Sequence, residues 1–434
     1  MSRLGTERAG SARGVKGAPD AGAAVRRRST CRVCDGPALV PLFSLGQTPL
    51  ANALVRREDL DQQDLQFPLD LFMCTGCAHV QLLDVVDPSI LFRNYVYVSG
   101  TSASFVQHFR GYADAVADRL GLGGSAFVVD IGSNDGTLLR FFKDKGCRVL
   151  GVDPAVDIAR AATADGIETI PEFFTSALAE QIARERGLAD VVVANNVFAH
   201  VDDLLGFVRA VKQLLAPGGA FVFEVSYLVD VHDKTLFDTI YHEHLSYHTV
   251  GPLRILFERA GMELFDAERV SSHGGSLRGY ARRIDASRPA SATVEALARY
   301  EDEHGFYRPD TFKDFFDRIQ ARKHELRSLL QGLRAADKRI AGYGAPAKAT
   351  TLMYAFDIGP DLVEYIVEDS PLKIGLFTPG FHIPIVAPTR LRDDPPDYVL
   401  IHAWNFEGPI RERYREFAER GGHFIVPLPT VEVH

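Results

Sequence analysis

The feature that most constrains the fold of this chain is a glycine-rich turn after an apolar run of residues. Residues 129–139 read Val-Asp-Ile-Gly-Ser-Asn-Asp-Gly-Thr-Leu-Leu, which predicts a buried strand, a turn and then a helix. Glycines in such a turn let the backbone approach a bound nucleoside closely. The spacing of Asp130, Gly132 and Gly136 differs from the G-x-G-x-x-G of dinucleotide folds, which weighs against a nicotinamide dehydrogenase. A plain turn closed by a capping aspartate is the alternative interpretation.

Predicted strands and helices alternate along most of the chain. Strand candidates in the central part lie at 126–131, 148–152, 190–194 and 220–225, with a helix at 202–215. A charged amphipathic stretch at 293–336 indicates one or two helices, and further strand candidates follow at 339–343, 363–368, 398–402 and 423–427. Strands that alternate with helices form a parallel sheet covered on both faces. We therefore predict an α/β chain with a central Rossmann-like domain and a smaller doubly wound domain after it.

The N-terminal part contains two C-x-x-C pairs among short strand-like runs. The four cysteines are Cys31, Cys34, Cys74 and Cys77. Two such pairs can complete a tetrahedral shell of four sulfurs, which suits a structural zinc ion, with disulfides or free thiols as the alternatives. His79 is then not needed as a ligand, and redox catalysis would need only one pair. The fifth cysteine, Cys147, stands alone and is expected to be a buried apolar residue.

Length, charge and cysteine count limit the remaining possibilities. The chain has 434 residues and a net charge of −9, which disfavours a general nucleic-acid surface. It lacks an apolar run of the ~20 residues that span a bilayer, and few cysteines indicate a reducing, cytoplasmic compartment. We expect a disordered tail at 1–28 (a basic contact arm being the alternative), a zinc-binding domain at 29–93, a central domain at 94–285 and a C-terminal domain at 286–434. The oligomeric state is left open between monomer and homodimer.

A second sequence feature indicates which kind of nucleoside the glycine-rich turn would bind. The strand at 148–152 ends at Asp153 and Pro154, so an acidic side chain is placed to accept hydrogen bonds from ribose hydroxyls. The glycine-rich turn with this aspartate resembles the cofactor site of S-adenosylmethionine-dependent methyltransferases. The expected cofactor-binding residues are Asp130, Gly132, Asn134, Gly136, Asp153, Pro154, Asn195 and Asn196.

Polar and aromatic residues crowd the segment 237–248, which reads Phe-Asp-Thr-Ile-Tyr-His-Glu-His-Leu-Ser-Tyr-His. This is not H-E-x-x-H, so the helical geometry of zinc proteases does not apply. Adjacent residues cannot all point the same way, which disfavours a second metal held by His242, Glu243 and His244. A solvated polar loop is the simpler alternative to a reacting site.

An ordered set of motifs gives a more specific resemblance. Besides the four cysteines, they are 48–52 (Thr-Pro-Leu-Ala-Asn), 94–102 (Asn-Tyr-Val-Tyr-Val-Ser-Gly-Thr-Ser), 130–136, 241–247, 274–278 (Gly-Gly-Ser-Leu-Arg) and 342–348 (Gly-Tyr-Gly-Ala-Pro-Ala-Lys). From residue 30 onwards, the chain resembles the three-domain, zinc-containing C-methyltransferases that act on nucleotide-linked 4-keto-deoxysugars in antibiotic sugar pathways.

This resemblance implies a reaction at a carbon beside the ketone, with C-3 of a thymidine-diphosphate (dTDP) sugar favoured. Such a carbon becomes nucleophilic only after it loses a proton, so a base and a stabilised enolate oxygen are required. The resemblance implies that His244 is the base, that Tyr241 and Glu243 position it and the sugar, and that Tyr95 closes over the site. His200 is a second candidate base.

The C-terminal unit contributes the expected substrate site. Gly344 and Lys348 lie where a strand runs into a helix, and backbone N–H groups at such a turn can bind an anion. We expect these two residues to hold the pyrophosphate of the nucleotide sugar, with Glu224 as a further substrate contact. A plain strand–helix turn is the alternative.

Two other functions remain open from the sequence. An O- or N-methyltransferase acting on a nucleotide sugar could share the cofactor half. A non-catalytic, zinc-containing protein that binds nucleotide sugars could share both the cofactor half and the substrate half of the site.

Overall fold

The structure, a computed structural model, describes residues 24–93, 99–101, 103–284 and 291–434. The predicted fold class is confirmed, because a cluster of four cysteines precedes a central Rossmann-like sheet and a C-terminal domain with a sheet of its own. Among the described residues, no helix combines the length and the apolar character that crossing a membrane requires.

The N-terminal domain is built on an antiparallel hairpin. Its strands are β1 (Val25–Arg27), β2 (Leu39–Pro49), β3 (Gln66–Cys74), β4 (Val80–Leu82) and β5 (Asp84–Val86), and helix α1 (Pro88–Phe92) follows. β3 pairs with both β2 and β4, and buried residues alternate along it as expected for a strand with one face on the core. β1 pairs with β5. The end of the segment expected to be a disordered tail, 1–28, therefore belongs to a sheet.

The central domain holds a seven-stranded sheet and its covering helices. Its strands are β6 (Phe127–Ile131), β7 (Arg148–Val152), β8 (Thr169–Ile170), β9 (Ala189–Asn195), β10 (Leu215–Ser226), β12 (Met262–Val270) and β13 (Ser276–Arg283), with the short strand β11 (Ser246–Tyr247) outside this sheet. The helices are α2 (Ala103–Leu120), α3 (Thr137–Asp144), α4 (Val156–Ala164), α5 (Ser176–Arg186), α6 (Leu204–Leu214), α7 (Leu228–Asp233) and α8 (Val250–Arg259).

The strand order places a cleft beside β6. The order is β12-β13-β10-β9-β6-β7-β8, and the strands from β10 to β8 are parallel while β13 is antiparallel to both of its neighbours. The chain runs outward from β6 through β7 to β8 and then crosses back to β9. Ligands of open α/β sheets bind at this kind of reversal, outside the carboxyl ends of the strands.

The C-terminal domain contains a second, smaller sheet whose strand order also reverses. Helices α9 (Ala292–Glu303) and α10 (Thr311–Ala335) precede β14 (Ile340–Tyr343), α11 (Ala347–Phe356), β15 (Ile366–Val367), β16 (Ile385–Val386), α12 (Arg390–Asp393), β17 (Tyr398–Ile401), α13 (Glu407–Arg413), α14 (Arg415–Glu419), β18 (His423–Val426) and β19 (Glu432–Val433). The sheet order β16-β15-β14-β17-β18-β19 reverses between β14 and β17. Gly344 follows one of these strands and Trp404 the other, so both lie at this reversal.

Elements from the central and C-terminal parts of the chain pack against the N-terminal domain, across the predicted domain boundaries. β11, from the central part of the chain, pairs with β4 and becomes the edge strand of the N-terminal sheet. α10 packs against the same domain, where the rings of Phe315 and Phe316 lie 5.6 and 5.3 Å from that of Phe43. The stretch predicted as one or two helices at 293–336 is thus two helices, and the second of them bridges domains.

Candidate functional site

The glycine-rich turn after β6 has a geometry that only glycine satisfies at two positions. Gly132 and Gly136 have φ angles of 74° and 76°. A Cβ atom would lie 2.2 Å from Val197 at the first position and 2.8 Å from Ile167 at the second. The turn is therefore tightly packed, as a close backbone approach to a nucleoside requires.

Two carboxylates meet at the carboxyl ends of β6 and β7. Asp153 accepts hydrogen bonds of 2.8 Å from the backbone N–H groups of Asn134 and Ala155, which fix its orientation. Burial raises the pKa of Asp153, and burial together with the charge of Asp153 raises the pKa of Asp130 well above its usual range. Pro154 is half-buried next to Asp153. An acidic edge of this kind can accept hydrogen bonds from hydroxyl groups of a ribose.

The neighbouring strand β9 brings the predicted asparagines to the same edge. Asn195 ends the strand, and Asn196 adopts a left-handed φ of 55° while its N–H donates to the carbonyl of Glu224 over 2.8 Å. The side chain of Asn134 accepts the N–H of Ser99 over 2.9 Å, so it also anchors the segment that leads into the central domain. Tyr95, the residue expected to close over the site, lies outside the described residues.

The segment after the 3₁₀ turn 237–239 brings an imidazole and a phenol together. The ring of Tyr241 lies 4.1 Å from that of His244, and the ring of His200 stacks on His244 at 5.1 Å. His244 Nδ1 lies 2.7 Å from the carbonyl oxygen of Thr239. A carbonyl only accepts hydrogen bonds, so Nδ1 carries the proton and Nε2 has the free lone pair.

Burial keeps both of these imidazoles uncharged. It lowers the pKa of His244 to about 4, and it lowers the pKa of His200 well below the usual range. His200 Nε2 is buried and has no hydrogen-bond partner within the described part of the chain. Glu243 is 2% exposed, and the rings of Tyr241, His244 and His200 are half-buried, which disfavours the alternative of a solvated polar loop.

The neighbours of His244 point in different directions. The ring of His242 packs against Phe67, and its Nε2 lies 3.2 Å from the carbonyl oxygen of Pro68. Glu243 Oε1 accepts a hydrogen bond of 2.6 Å from Asn52 Nδ2 of the N-terminal domain. Within the described ranges, the residues grouped closely enough to hold a metal are the four cysteines.

Glu224, expected to contact substrate, is instead engaged within the protein. Its carboxylate is 1% exposed, pairs with Arg278 over 3.0 Å and His108 over 2.7 Å, and accepts a 2.5 Å hydrogen bond from Ser272. Burial acts to raise the pKa of Glu224, but the contacts with His108 and Arg278 outweigh it and lower the pKa. Arg278 lies directly opposite Glu224 in the β10–β13 pairing, so the carboxylate serves as an internal ion pair.

His273 is a candidate that the sequence reasoning missed. It has a left-handed φ of 51°, which is strained for a residue other than glycine, and such strain clusters at functional sites. Its Nε2 is buried without a partner among the described residues, and burial lowers the pKa of the ring to about 4. His273 is close enough for its charge to lower the pKa of His244. The sequence signal was the Ser-His-Gly-Gly run at 272–275.

The turn after β14 has only some of the features of the predicted anion site. Gly344 has a φ of 84°, but the N–H of Ala345 donates to Glu368 Oε2 over 2.8 Å, so a side chain occupies one donor of the predicted anion site. The ammonium group of Lys348 lies 3.9 Å from the ring of Trp404 and contacts Asn405. Burial lowers the pKa of Lys348 to about 8.

A cleft of about 310 Å³ opens beside Lys348, between the central and C-terminal domains. Its lining includes Ser271, Gly274, Trp404, Asn405, Leu428 and Thr430. Trp404 Nε1 also donates a 2.6 Å hydrogen bond to buried Asp238, in the turn that supports His244. The cleft and the His244 site are therefore connected through one aromatic side chain.

The four cysteines have the arrangement that a zinc ion needs. Their Sγ atoms all lie within 4.8 Å of one another, and the distances Cys31–Cys77 and Cys34–Cys74 are 3.5 Å. A tetrahedron with Zn–S bonds of ~2.3 Å has edges close to this length. Burial raises the pKa of Cys34 to about 11, so a bound cation is what would let all four thiols ionise together. Cys147 is buried away from them, as expected.

Comparisons with known proteins identify three families along the chain. Residues 31–92 match a family described as zinc binding, residues 105–266 a methyltransferase domain family, and residues 271–429 a family described as the C-methyltransferase C-terminal domain. C-methyltransferase NovU of Streptomyces niveus is 38% identical over 409 residues, which cover 94% of this chain and 97% of NovU.

Other similar proteins match a smaller part of the chain. The ubiquinone biosynthesis O-methyltransferase of Methylobacterium sp. (strain 4-46) is 36% identical over 95 residues, 22% of this chain and 38% of that protein. The structure of magnesium protoporphyrin IX methyltransferase from Synechocystis PCC 6803 with bound S-adenosylmethionine aligns with a TM-score of 0.34 and 15% identity, over 46% of this chain and 98% of that one. From the near full-length match to NovU and the three domain matches, this chain belongs to the family of zinc-containing, S-adenosylmethionine-dependent C-methyltransferases.

Proposed function

We propose that this C-methyltransferase adds a methyl group to the carbon beside the ketone, at C-3, of a dTDP-linked 4-keto-deoxysugar. The observation that carries the proposal is the imidazole of His244, which is fixed by Thr239, uncharged and packed between two other rings. A methyl transfer to oxygen or nitrogen needs no carbon acid to be ionised. Proton removal from carbon requires an oriented base that is unprotonated at the working pH, and the lowered pKa of His244 meets this condition at some cost in base strength.

In this proposal His244 Nε2 removes the proton from the sugar carbon. The hydrogen bond from Nδ1–H to Thr239 fixes the tautomer and the ring plane, so no reorganisation is needed when the proton arrives. Tyr241 lies against the same ring, where its hydroxyl group can orient the sugar or stabilise the enolate oxygen. Glu243, whose carboxylate is fixed by Asn52, positions the base and the sugar in this proposal.

S-adenosylmethionine supplies the activated methyl group when it is bound. The residues suited to hold it are Asp153, with its two backbone hydrogen bonds, and the tightly packed turn from Gly132 to Gly136. This turn and Asn196 lie at the same sheet edge, and the carbonyl of Glu224 ties Asn196 to β10. These residues therefore bind and align the donor, while the residues after β10 act on the acceptor.

The cleft between the central and C-terminal domains suits the nucleotide part of the substrate. Trp404 gives the cleft an aromatic wall for base stacking, and Lys348, which lies behind the lining against the Trp404 ring, is the nearby cation for the pyrophosphate. Glu407 and Glu432 also line the cleft, so the anion is expected at its Lys348 end. A pKa of about 8 leaves Lys348 mostly protonated at neutral pH. An arriving pyrophosphate would favour the charged form further. Because Glu368 occupies the N–H of Ala345, Lys348 rather than the glycine turn is the main anion contact in this proposal.

The decisive experiment identifies the bond that forms. The protein is incubated with S-adenosylmethionine carrying a ¹³C-methyl group and a panel of dTDP-4-keto-deoxysugars, and products are analysed by NMR. We expect a methyl carbon coupled to a ring carbon beside the ketone. A methyl on oxygen or nitrogen, or tight binding of both ligands without turnover, would contradict the proposal.

The role of His244 is tested separately by exchange of the acidic proton. In deuterated buffer without cofactor, wild-type protein should exchange the hydrogen on the sugar carbon beside the ketone. His244→Asn should retain cofactor binding but lose this exchange about 100-fold or more, as is typical for removal of a general base. Normal exchange in that variant would assign the base elsewhere, and His200→Asn is the matched comparison.

A further inference from the structure

The zinc-binding domain contacts residues 241–244, which we call the reacting segment, directly. Asn52 follows β2, and its amide donates the 2.6 Å hydrogen bond to Glu243 Oε1 across 191 residues of sequence. Glu243 is 2% exposed, whereas Asn52 is half-buried at the domain surface. The carboxylate next to the proposed base is thus oriented by a residue of another domain.

The backbone after His244 is fixed by the same domain. The N–H of Leu82 donates to the carbonyl of Leu245 over 3.0 Å, and Ser246 and Tyr247 pair with β4 as an edge strand. The reacting segment therefore continues directly into the sheet that also carries Cys74 at the end of β3. A shift of this sheet would move the segment with it.

The loop that carries Cys31 and Cys34 also contacts the loop that carries His200. Arg32, between Cys31 and Cys34, has a fully buried side chain, and its Nε donates to Asp202 Oδ1 over 3.1 Å. Asp202 lies two residues after His200, which stacks on His244. The loop that binds the metal and the loop that carries His200 are thus held together by an ion pair.

From these contacts we infer that Asn52 is a positioning residue for methyl transfer, because it fixes the carboxylate of Glu243, the residue that precedes His244. The inference rests on the proposed role of residues 241–244. The inference gives the zinc-binding domain a role in turnover, because the fold that the four cysteines stabilise places Asn52 and β4 against the reacting segment. Loss of an oriented carboxylate near a reacting group is expected to lower turnover rather than cofactor binding.

The test compares Asn52→Ala with Asp64→Ala. Asp64 belongs to the same domain, and its Oδ2 lies 2.9 Å from Nε2 of His382 in the C-terminal domain. We expect Asn52→Ala to lower kcat about 10- to 100-fold while the Kd for S-adenosylmethionine and the zinc content stay at wild-type values. Asp64→Ala should keep kcat within about twofold of wild type, since its side chain touches no residue of segment 241–244.

A pH profile separates positioning from simple loss of structure. In Asn52→Asp, the introduced carboxyl can donate a hydrogen bond to Glu243 only while it is protonated. Activity of this variant should therefore fall as pH rises through the apparent pKa of the carboxyl pair, whereas wild type shows no such loss. A kcat for Asn52→Ala within about twofold of wild type, or equal losses of zinc, cofactor binding and turnover, would overturn the inference.

A substrate-free measurement keeps this inference distinct from the proposed function. Amide hydrogen exchange read by mass spectrometry should speed up at residues 241–245 in Asn52→Ala and stay unchanged there in Asp64→Ala. If wild-type protein methylates no keto sugar, the proposed function fails, and this exchange pattern still decides the positioning contact. Unchanged exchange at 241–245 in Asn52→Ala would refute that contact.

Discussion

Acid should destabilise this protein through histidines that are buried in the neutral form, and His248 gives the clearest case. Its side chain is fully buried and stacks on Phe198 at 5.1 Å and 6°. Burial lowers the pKa of His248 to about 3, whereas an unfolded histidine titrates near ~6.5. A group with a lowered folded pKa contributes stability that is present above pH ~6.5 and is lost as pH falls toward about 3.

The size of the loss follows from proton linkage. Between pH ~6.5 and pH 5 only the unfolded chain takes up this proton, which costs about 1.4 kcal/mol per pH unit and about 2 kcal/mol in total. Phenylalanine at position 248 keeps an aromatic ring on Phe198 and cannot titrate. Between pH 7 and pH 5, wild type should therefore lose about 2 kcal/mol more stability than His248→Phe.

The assay is guanidinium unfolding of both proteins at pH 7 and pH 5. It is followed by far-UV circular dichroism and by the fluorescence of Trp404, the single tryptophan. Comparing the change with pH in the two proteins cancels the packing difference and any acid effect on the cysteine cluster. Equal losses of stability in the two proteins would refute the reasoning, because the imidazole would then be protonated or solvated in the folded state.

Three further substitutions test the separate sites. Asp153→Ala should weaken S-adenosylmethionine binding by about 10- to 100-fold in calorimetry, because hydrogen bonds to a charged group are worth about 1.5–3 kcal/mol; unchanged affinity would place the ribose elsewhere. Lys348→Ala should raise the KM for the nucleotide sugar by about 10- to 100-fold at constant cofactor affinity, and equal losses of both would indicate misfolding instead. Cys74→Ser should reduce zinc, measured by elemental analysis, from about one per chain to well below one and lower the Tm; retention of a full complement would argue against the four-sulfur site.

The grouping of the expected cofactor residues at one sheet edge could be predicted because these residues are close in sequence. Asp130 and Asp153 lie in one strand–helix–strand unit, and the predicted strand at 148–152 coincides with β7. Local rules, glycine at a tight turn and an acidic residue at the next strand end, are sufficient there. The same rules located the C-terminal reversal, where Gly344 follows β14.

The partners of Glu224 could not be predicted, because they depend on strand register. A contact between Glu224 and the substrate was expected from the sequence and stays a prediction. The antiparallel return of β13 puts Arg278 directly opposite Glu224, so the carboxylate is neutralised inside the protein. Nothing local to either residue shows that they are partners, and an aligned pair of opposite charge is stable once the sheet forms.

The acceptor half of the site is assembled from parts of the chain that only the tertiary fold brings together. Asn52 reaches Glu243 over 191 residues, and Trp404 reaches Asp238 over 166, so each of the two flanking domains holds one end of the segment 238–243. A short polar segment without regular secondary structure has little intrinsic order, because ordering its backbone costs about 1–2 kcal/mol per residue. Hydrogen bonds at both ends supply that order from outside the segment. If His244 is the base, as proposed, it lies in the central domain on a segment whose two ends are held by the domains on either side.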